Sequence, residues 1–191
     1  MQPERPEPSA GAAISRPASQ AIVVGVLSDT HGHLYPQVKQ LLLGVDHIIH
    51  AGDVGSPTVL ADLQAIAPVT AVRGNCDHEA WAQMLPARAE VELGGVRVLV
   101  GHVAAQLRER VRVAAKNEDG PALAVVVTGH SHLAAMETRD GVLHLNPGSA
   151  GPKRFERPRS IARLTIRPGS LSGDTEAGAR VEAAILTVKD S

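Results

Sequence analysis

Short apolar runs alternate with polar loops along the chain, and their periods predict its elements. Ile22–Leu27 is a continuous apolar run of strand length, followed by the polar segment Ser28 to His33. A helix is predicted over Gln37–Leu43, with Pro36 near its start, where a missing N–H costs nothing. Asp46–His50 reads as a second strand that ends at Ala51-Gly52-Asp53. Pro57 opens a second helical stretch whose Leu60, Leu63, Ile66 and Ala67 share one face. Val69–Val72 is a third strand, ending at Gly74-Asn75. This repeated strand–loop–helix order predicts parallel strands joined by crossover helices.

The second half has a different rhythm. Ala89, Val91 and Leu93 alternate, Gly94-Gly95 turns the chain, and Val96, Val98 and Val100 return toward Gly101-His102, a hairpin pattern. Leu107, Val111 and Ala114 lie at helical spacing. Leu123–Val127 is a further strand, ending at Gly129-His130-Ser131-His132. Asp140-Gly141 joins two short strand-like runs as a tight hairpin. Asn146-Pro147-Gly148-Ser149 reads as a loop, Ser160–Ile166 and Val181–Val188 as closing strands, and Gly169–Gly178 as a loop rich in Gly, Ser and Asp. No internal repeat is present. The fold class is therefore α/β with mixed strands.

Length and composition narrow the partners. The 191 residues suit one domain, assigned to 21–191, behind a Pro-rich tail, 1–20, read as disordered. Cys76 is the single cysteine, so no internal disulfide forms and a reducing, cytoplasmic location is the default expectation. No stretch approaches the ~20 apolar residues of a membrane span. The net charge is −1 and the aromatics are only Tyr35, Trp81 and Phe155. Stable nucleic-acid binding calls for a basic excess or stacking rings, so none is expected. Histidine stands out, with nine copies, several beside Asp, Asn or Gly.

Those histidines fall where strands end. The strand ends carry Asp29 and His31, Asp53, Asn75, His102, then His130 and His132. In parallel α/β sheets, ligands gather outside the carboxyl ends of strands, so these residues are placed to converge on one cleft. In extended backbone, residues i and i+2 point the same way, which gives Asp29 with His31, and His130 with His132, a common side. Carboxylate, imidazole and amide oxygen without thiolate suit Mn²⁺, Fe²⁺ or Zn²⁺, with Ni²⁺ also accommodated. Two divalent ions against two carboxylates leave positive charge for a hydroxide and an anionic phosphate group. A lone histidine is ordinarily a packed or surface residue, and His33, His47, His50, His78 and His144 start from that reading. His50 and His78 flank the ligand motifs, which also fits a supporting or substrate-facing role.

As an ordered set, Asp29-x-His31, Gly52-Asp53, Gly74-Asn75, Gly101-His102 and Gly129-His130-x-His132 resemble the calcineurin-like metallophosphoesterase superfamily. Ser28-Asp-Thr-His-Gly32, Gly74-Asn-Cys-Asp77 and Asn146-Pro-Gly-Ser149 are similar to the small phosphodiesterases of the YfcE type. The resemblance spans about residues 22–167. It implies two mixed sheets packed as a sandwich and flanked by helices. It also implies that Asp29, His31 and His132 hold one metal, that Asn75, His102 and His130 hold another, and that Asp53 bridges them. A metal-bridging hydroxide then attacks the phosphorus of a small phosphodiester. Manganese is the leading candidate ion, and a homodimer is in keeping with small relatives.

The third motif departs from the wider superfamily, where a histidine commonly follows the Asn and serves the leaving group. Cys76 stands there, either as a small filler or as a weak acid. His78, two residues on, is a second candidate for that role. Asp77 either orients a neighbouring ligand or fixes the turn. Ser149 lacks a paired base motif, so a loop role outweighs a nucleophilic one. The principal alternative is a Vps29-like interaction scaffold that retains metal binding. A nuclease is disfavoured by the absent basic excess, and no P-loop, GxGxxG or HExxH motif is present.

Overall fold

The strands form in the order β1 (Ile22–Leu27), β2 (His47–His50), β3 (Val69–Ala71), β4 (Arg88–Leu93), β5 (Val96–Gly101), β6 (Leu123–Val127), β7 (Ala134–Arg139), β8 (Val142–Pro147), β9 (Ser160–Arg167) and β10 (Arg180–Thr187). Among the described residues three helices, α1 (Pro36–Leu41), α2 (Pro57–Gln64) and α3 (Ala104–Ala114), lie between them. These come from a computed structural model, which describes residues 20–114, 121–153, 157–167, 169 and 179–189. The N-terminal tail (1–20) lies outside the described residues except for Gln20, and the 169–178 loop except for Gly169.

Two five-stranded sheets result, ordered β10-β9-β1-β2-β3 and β4-β5-β6-β8-β7. β1, β2 and β3 are parallel, as are β5, β6 and β8, while β9, β10, β4 and β7 add antiparallel pairs. Parallel neighbours cannot be joined by a tight turn, so α1, α2 and α3 supply the crossovers after β1, β2 and β5. The expected mixed two-sheet sandwich is therefore present.

Side-chain alternation builds the layers. Val24 and Val26 of β1 meet Val96, Val98 and Val100 of β5 and Val125 and Val127 of β6 between the sheets. The opposite face of the first sheet, with Leu27 and Ile48, packs on Val38 and Leu42 near α1 and on Val59 and Leu63 of α2. Leu99, Val126 and Val142 of the second sheet cover Leu107 and Ala114 of α3. Each fully buried Leu, Ile or Val contributes roughly 1.5–3 kcal/mol, so this core can carry locally unfavourable backbone elsewhere.

Boundaries differ where pairing rather than apolarity decides them. Asp46 precedes β2: its amide donates to the Val23 carbonyl at 2.7 Å and its carboxylate accepts from the Val23 amide at 2.9 Å. Asn146 and Pro147 belong to β8 rather than to a loop, because they pair with Ala135 and Ala134. The helix predicted to Leu43 stops at Leu41, with Gly44 at φ +75° turning the chain. One 3-10 turn, Ala82–Met84, has no predicted counterpart. The Asp140-Gly141 hairpin forms as expected, both residues having positive φ.

Candidate metal centre

The loops that leave β1 and β2 remain zipped together beyond the strands. Asp29 N donates to Gly52 O, His31 N to Asp53 O and Gly32 N to Val54 O, at 2.8–3.0 Å. Within the second sheet the loops after β6 and β5 are likewise tied, Gly129 N donating to His102 O at 3.0 Å, and His130 N joins them to the first sheet by donating to Asp29 Oδ2 at 3.1 Å. The loop after β3 is tied in by Cys76 N, which donates to Asp53 Oδ1 at 2.7 Å, and all seven candidate ligands lie in one cluster.

Its first part comprises Asp29, His31 and His132, whose ligand atoms fall within 4.8 Å of one another. Asp29 Oδ1 stands 3.1 Å from His132 Nε2, and the two imidazole Nε2 atoms of His31 and His132 face each other at 3.4 Å. Its second part centres on Asn75 Oδ1, which lies 3.0 Å from His102 Nε2 and 2.8 Å from His130 Nδ1. Asp53 lies between them: Oδ2 is 3.3 Å from His102 Nε2, and the carboxylate groups both with Asp29 and His102 and with His31 and Cys76. The residues of each set implied by the resemblance thus lie side by side. The donors fit a divalent cation, because Asp29 Oδ1 is fully buried and accepts no hydrogen bond.

Convergence arises by a different route from the extended backbone anticipated for the i, i+2 pairs. Asp29, His31, Asp53, His130 and His132 have φ of +56°, +46°, +54°, +68° and +57°. Asp and His tolerate this left-handed region better than most residues, yet each such residue costs on the order of 1 kcal/mol. Left-handed turns fold the chain back sharply, so donors from two sheets crowd around a small volume. The crowding fixes two glycines. A Cβ at Gly74 would overlap Asp53 Oδ1 and the Asp53 amide and stand 2.8 Å from its Cγ, and one at Gly129 would overlap Ser28 Oγ.

Burial and charge polarise the cluster. Burial pushes the Asp29 carboxyl above its ordinary range, against the Ser28 hydroxyl bond and the His102 and His132 charges. Burial acts the same way on Asp53, but bonds from His102 and the Cys76 amide overcome it and hold that carboxyl well below the usual range. For His102, burial is outweighed by the Asp53 hydrogen bond, the Ala51 carbonyl and the charges of Asp53 and Asp29, so its pKa rises. The Ala51 carbonyl lies 2.7 Å from His102 Nδ1 and orients the ring, leaving Nε2 toward the cluster.

The remaining candidates separate clearly. Cys76 is exposed at the cluster's edge; its amide donates to Asp53 Oδ1 at 2.7 Å and its Sγ is 3.4 Å from Asn75 Nδ2. Asp77 takes the turn-fixing role: its buried carboxylate accepts from Val54 N at 3.1 Å, Gly55 N at 2.9 Å and Gly74 N at 2.8 Å. It thereby ties the Asp53 loop to the Asn75 loop. His78 is exposed and outside the grouped ligands. Ser149 is structural, its hydroxyl donating to the Asp29 carbonyl at 3.0 Å.

Supporting residues were less visible in the sequence. Thr30 Oγ1 donates to the Val54 carbonyl at 2.9 Å, so at 2.8 Å it accepts from His50 Nε2. Burial pushes the His50 pKa down to about 4, keeping the ring neutral. Asn146 Nδ2 donates to Gly129 O at 2.7 Å and so braces the His130 loop. Both Thr30 and Asn146 sat inside recognisable motifs, but nothing in the sequence showed what they would touch.

Known proteins of similar sequence and fold show the family. The Calcineurin-like phosphoesterase superfamily domain matches residues 22–169. A probable metallophosphoesterase of Methanocaldococcus jannaschii is 30% identical over 154 residues, covering 76% of each chain. Phosphodiesterase YfcE of Escherichia coli is 31% identical over 160 residues, covering 72% of this chain and 84% of its own. The solved YfcE structure superposes with a TM-score of 0.55 at 26% identity, over 88% of this chain and 100% of that one. Vacuolar protein sorting 29 of Cryptosporidium parvum superposes at 0.65 with 18% identity, over 87% and 98%, a likeness of fold alone. The chain belongs to the calcineurin-like phosphoesterase superfamily.

Proposed function

We propose that this protein is a metal-dependent phosphodiesterase acting on small diesters at a centre of two divalent ions, with manganese the leading candidate. One observation carries the reading: two three-residue donor groups meet at Asp53, beside the buried Asp29 Oδ1, which accepts no hydrogen bond and stands 3.1 Å from His132 Nε2. Asp29, His31 and His132 would hold one ion, Asn75, His102 and His130 the other, and Asp53 would face both. When bound, such ions supply an activated water and neutralise charge that builds on phosphoryl oxygens.

The chain's own residues set the geometry. The Cys76 amide fixes one oxygen of Asp53 and leaves the other toward His102. Asn75 Oδ1 is shared between two imidazoles, which fixes the side on which that pair of rings meets. The exposed Cys76 thiol stands at the edge of the cluster, where it can serve a leaving group, and a thiol is a modest proton donor. Esters with good leaving groups are therefore the favoured substrates.

The test is hydrolysis of bis(p-nitrophenyl) phosphate with Mn²⁺, which Asp53→Asn should abolish. Cys76→His should also widen the range of leaving groups accepted. The scaffold reading prevails if the protein binds two ions yet turns over no ester with any of several metals between pH 5 and 9. The ligand positions weigh against it, since all seven donor residues are present and gathered.

A further inference from the structure

A second feature adjoins the metal centre, and the proposed reaction does not use it. Beyond His132 the chain makes a shallow pocket lined by Ser149, Gly151, Lys153, Arg157 and Arg159, with Pro152 and Pro158. Three cations and no carboxylate are among its described lining residues.

Two of those cations are held in place. Arg157 Nη1 lies 3.4 Å from the carbonyl of Ser131, the residue between His130 and His132. Arg159 Nε donates to the Gly151 carbonyl at 2.9 Å, and its guanidinium lies 3.8 Å over the Tyr35 ring. Gly151 is itself anchored to Asp29, its amide donating to the Asp29 carbonyl at 3.1 Å. Arg159 is thereby tied to the centre through Gly151, and Arg157 reaches the segment between His130 and His132.

We propose that Lys153, Arg157 and Arg159 form a subsite for a second phosphate on the substrate, beside the scissile one at the metal centre. This rests on the phosphodiesterase reading and deepens it: preferred substrates are diesters that bear a further phosphate, as a phosphorylated nucleotide ester does. A guanidinium presents its N–H donors in a planar fork that matches phosphate oxygens, and a lysine adds a further positive charge. A hydrophobic or neutral ester arm gains nothing from this arrangement.

The test uses thymidine 5′-(p-nitrophenyl phosphate) with and without a 3′-phosphate, on the Mn²⁺-loaded full chain. The expected ratio of kcat/KM, bisphosphate over monophosphate, is about tenfold or more, the order given by one charge-assisted hydrogen bond. In Lys153→Gln/Arg157→Gln the ratio should fall toward one, while Arg157→Lys should retain part of it. Both side chains are exposed, so these variants should fold. A wild-type ratio near one overturns the subsite. So does a ratio that survives in the double variant; cations serving the scissile phosphate would lower both substrates equally and leave it unchanged.

A parallel calorimetric titration with thymidine 3′,5′-bisphosphate and thymidine 5′-phosphate needs no turnover. About tenfold tighter binding of the bisphosphate, lost in the double variant, supports the subsite even if both esters resist hydrolysis. Equal affinities overturn it. Failure of hydrolysis alone counts against the phosphodiesterase reading and leaves the subsite to the titration.

Discussion

Asp77→Asn is the sharpest perturbation the structure offers, because it changes one atom in a buried clamp. The side chain is 3% exposed, and its two oxygens accept three backbone N–H groups from Val54, Gly55 and Gly74. Asparagine has a single acceptor oxygen. Placed over Val54 and Gly74, it sets its own NH₂ against the Gly55 amide, donor against donor. That sets the part-buried Gly55 N–H against a donor, at about 1–2 kcal/mol, and turns two charge-assisted bonds into weaker neutral ones. The combined loss is about 2–4 kcal/mol, or a fall of roughly 10 °C in Tm for a chain of this size. The assay is thermal unfolding in EDTA at pH 7, followed by circular dichroism. Because the clamp joins the Asp53 and Asn75 loops, affinity for Mn²⁺ should also drop, by about 10–100-fold in a calorimetric titration. If Asp77→Asn melts within about 2 °C of wild type and binds Mn²⁺ equally well, the clamp has been misread.

Three further outcomes follow from the same geometry. Gly74→Ala forces a methyl into Asp53, so it should cost about 3 kcal/mol or more and remove the Mn²⁺-induced rise in Tm; an unchanged response refutes the packing. His50 has a folded pKa of about 4 against about 6.5 unfolded, so the unfolded chain alone takes up its proton in that window. Its contribution, about 3 kcal/mol, is complete above pH 6.5 and lost as pH falls toward 4. Urea titrations of metal-free protein should therefore show a flatter pH dependence in His50→Gln than in wild type, and parallel curves contradict this. Adding Mn²⁺ at a thousandfold excess over its Kd should stabilise the chain by about 4 kcal/mol and raise Tm by roughly 10 °C over EDTA, and a Tm indifferent to divalent ions argues against the centre.

The fold and the candidate ligand set were legible for one reason: both are written locally. The apolar run Ile22–Leu27 is a strand whatever it pairs with, and its bounds were right to the residue. Ligand chemistry is likewise a property of residue type at a strand end. What failed was whatever depends on partners distant in the chain. Asp46 and Pro147 were misplaced because Val23 and Ala134 decide their pairing. Asp77 stood undecided between two roles until the loops it clamps, 22 and 23 residues away, were in view. Ser149 reaches Asp29 across 120 residues, a contact that no periodicity encodes.

The conformation of the ligands was the least legible feature, and it governs how the centre must be tested. Five of the seven candidate ligands occupy the left-handed region, a combined cost on the order of 5 kcal/mol, as large as the net stability of many domains. Such strain persists only where the surroundings over-determine it, and here the bonds from Asp29, His31 and Gly129 within each sheet, with that from His130 between them, do so. Replacing a ligand therefore perturbs two quantities at once. Alanine removes the donor and also resists positive φ, so a loss of metal binding in Asp53→Ala would confound backbone with charge. Asparagine tolerates the left-handed region, retains an oxygen for the Cys76 amide at the Oδ1 position, and removes only the negative charge toward His102. If Asp53→Asn keeps the wild-type Tm in EDTA but loses the stabilisation by Mn²⁺, the charge of Asp53 is what the ions require. A Tm that collapses in EDTA would instead assign Asp53 to holding the loops together.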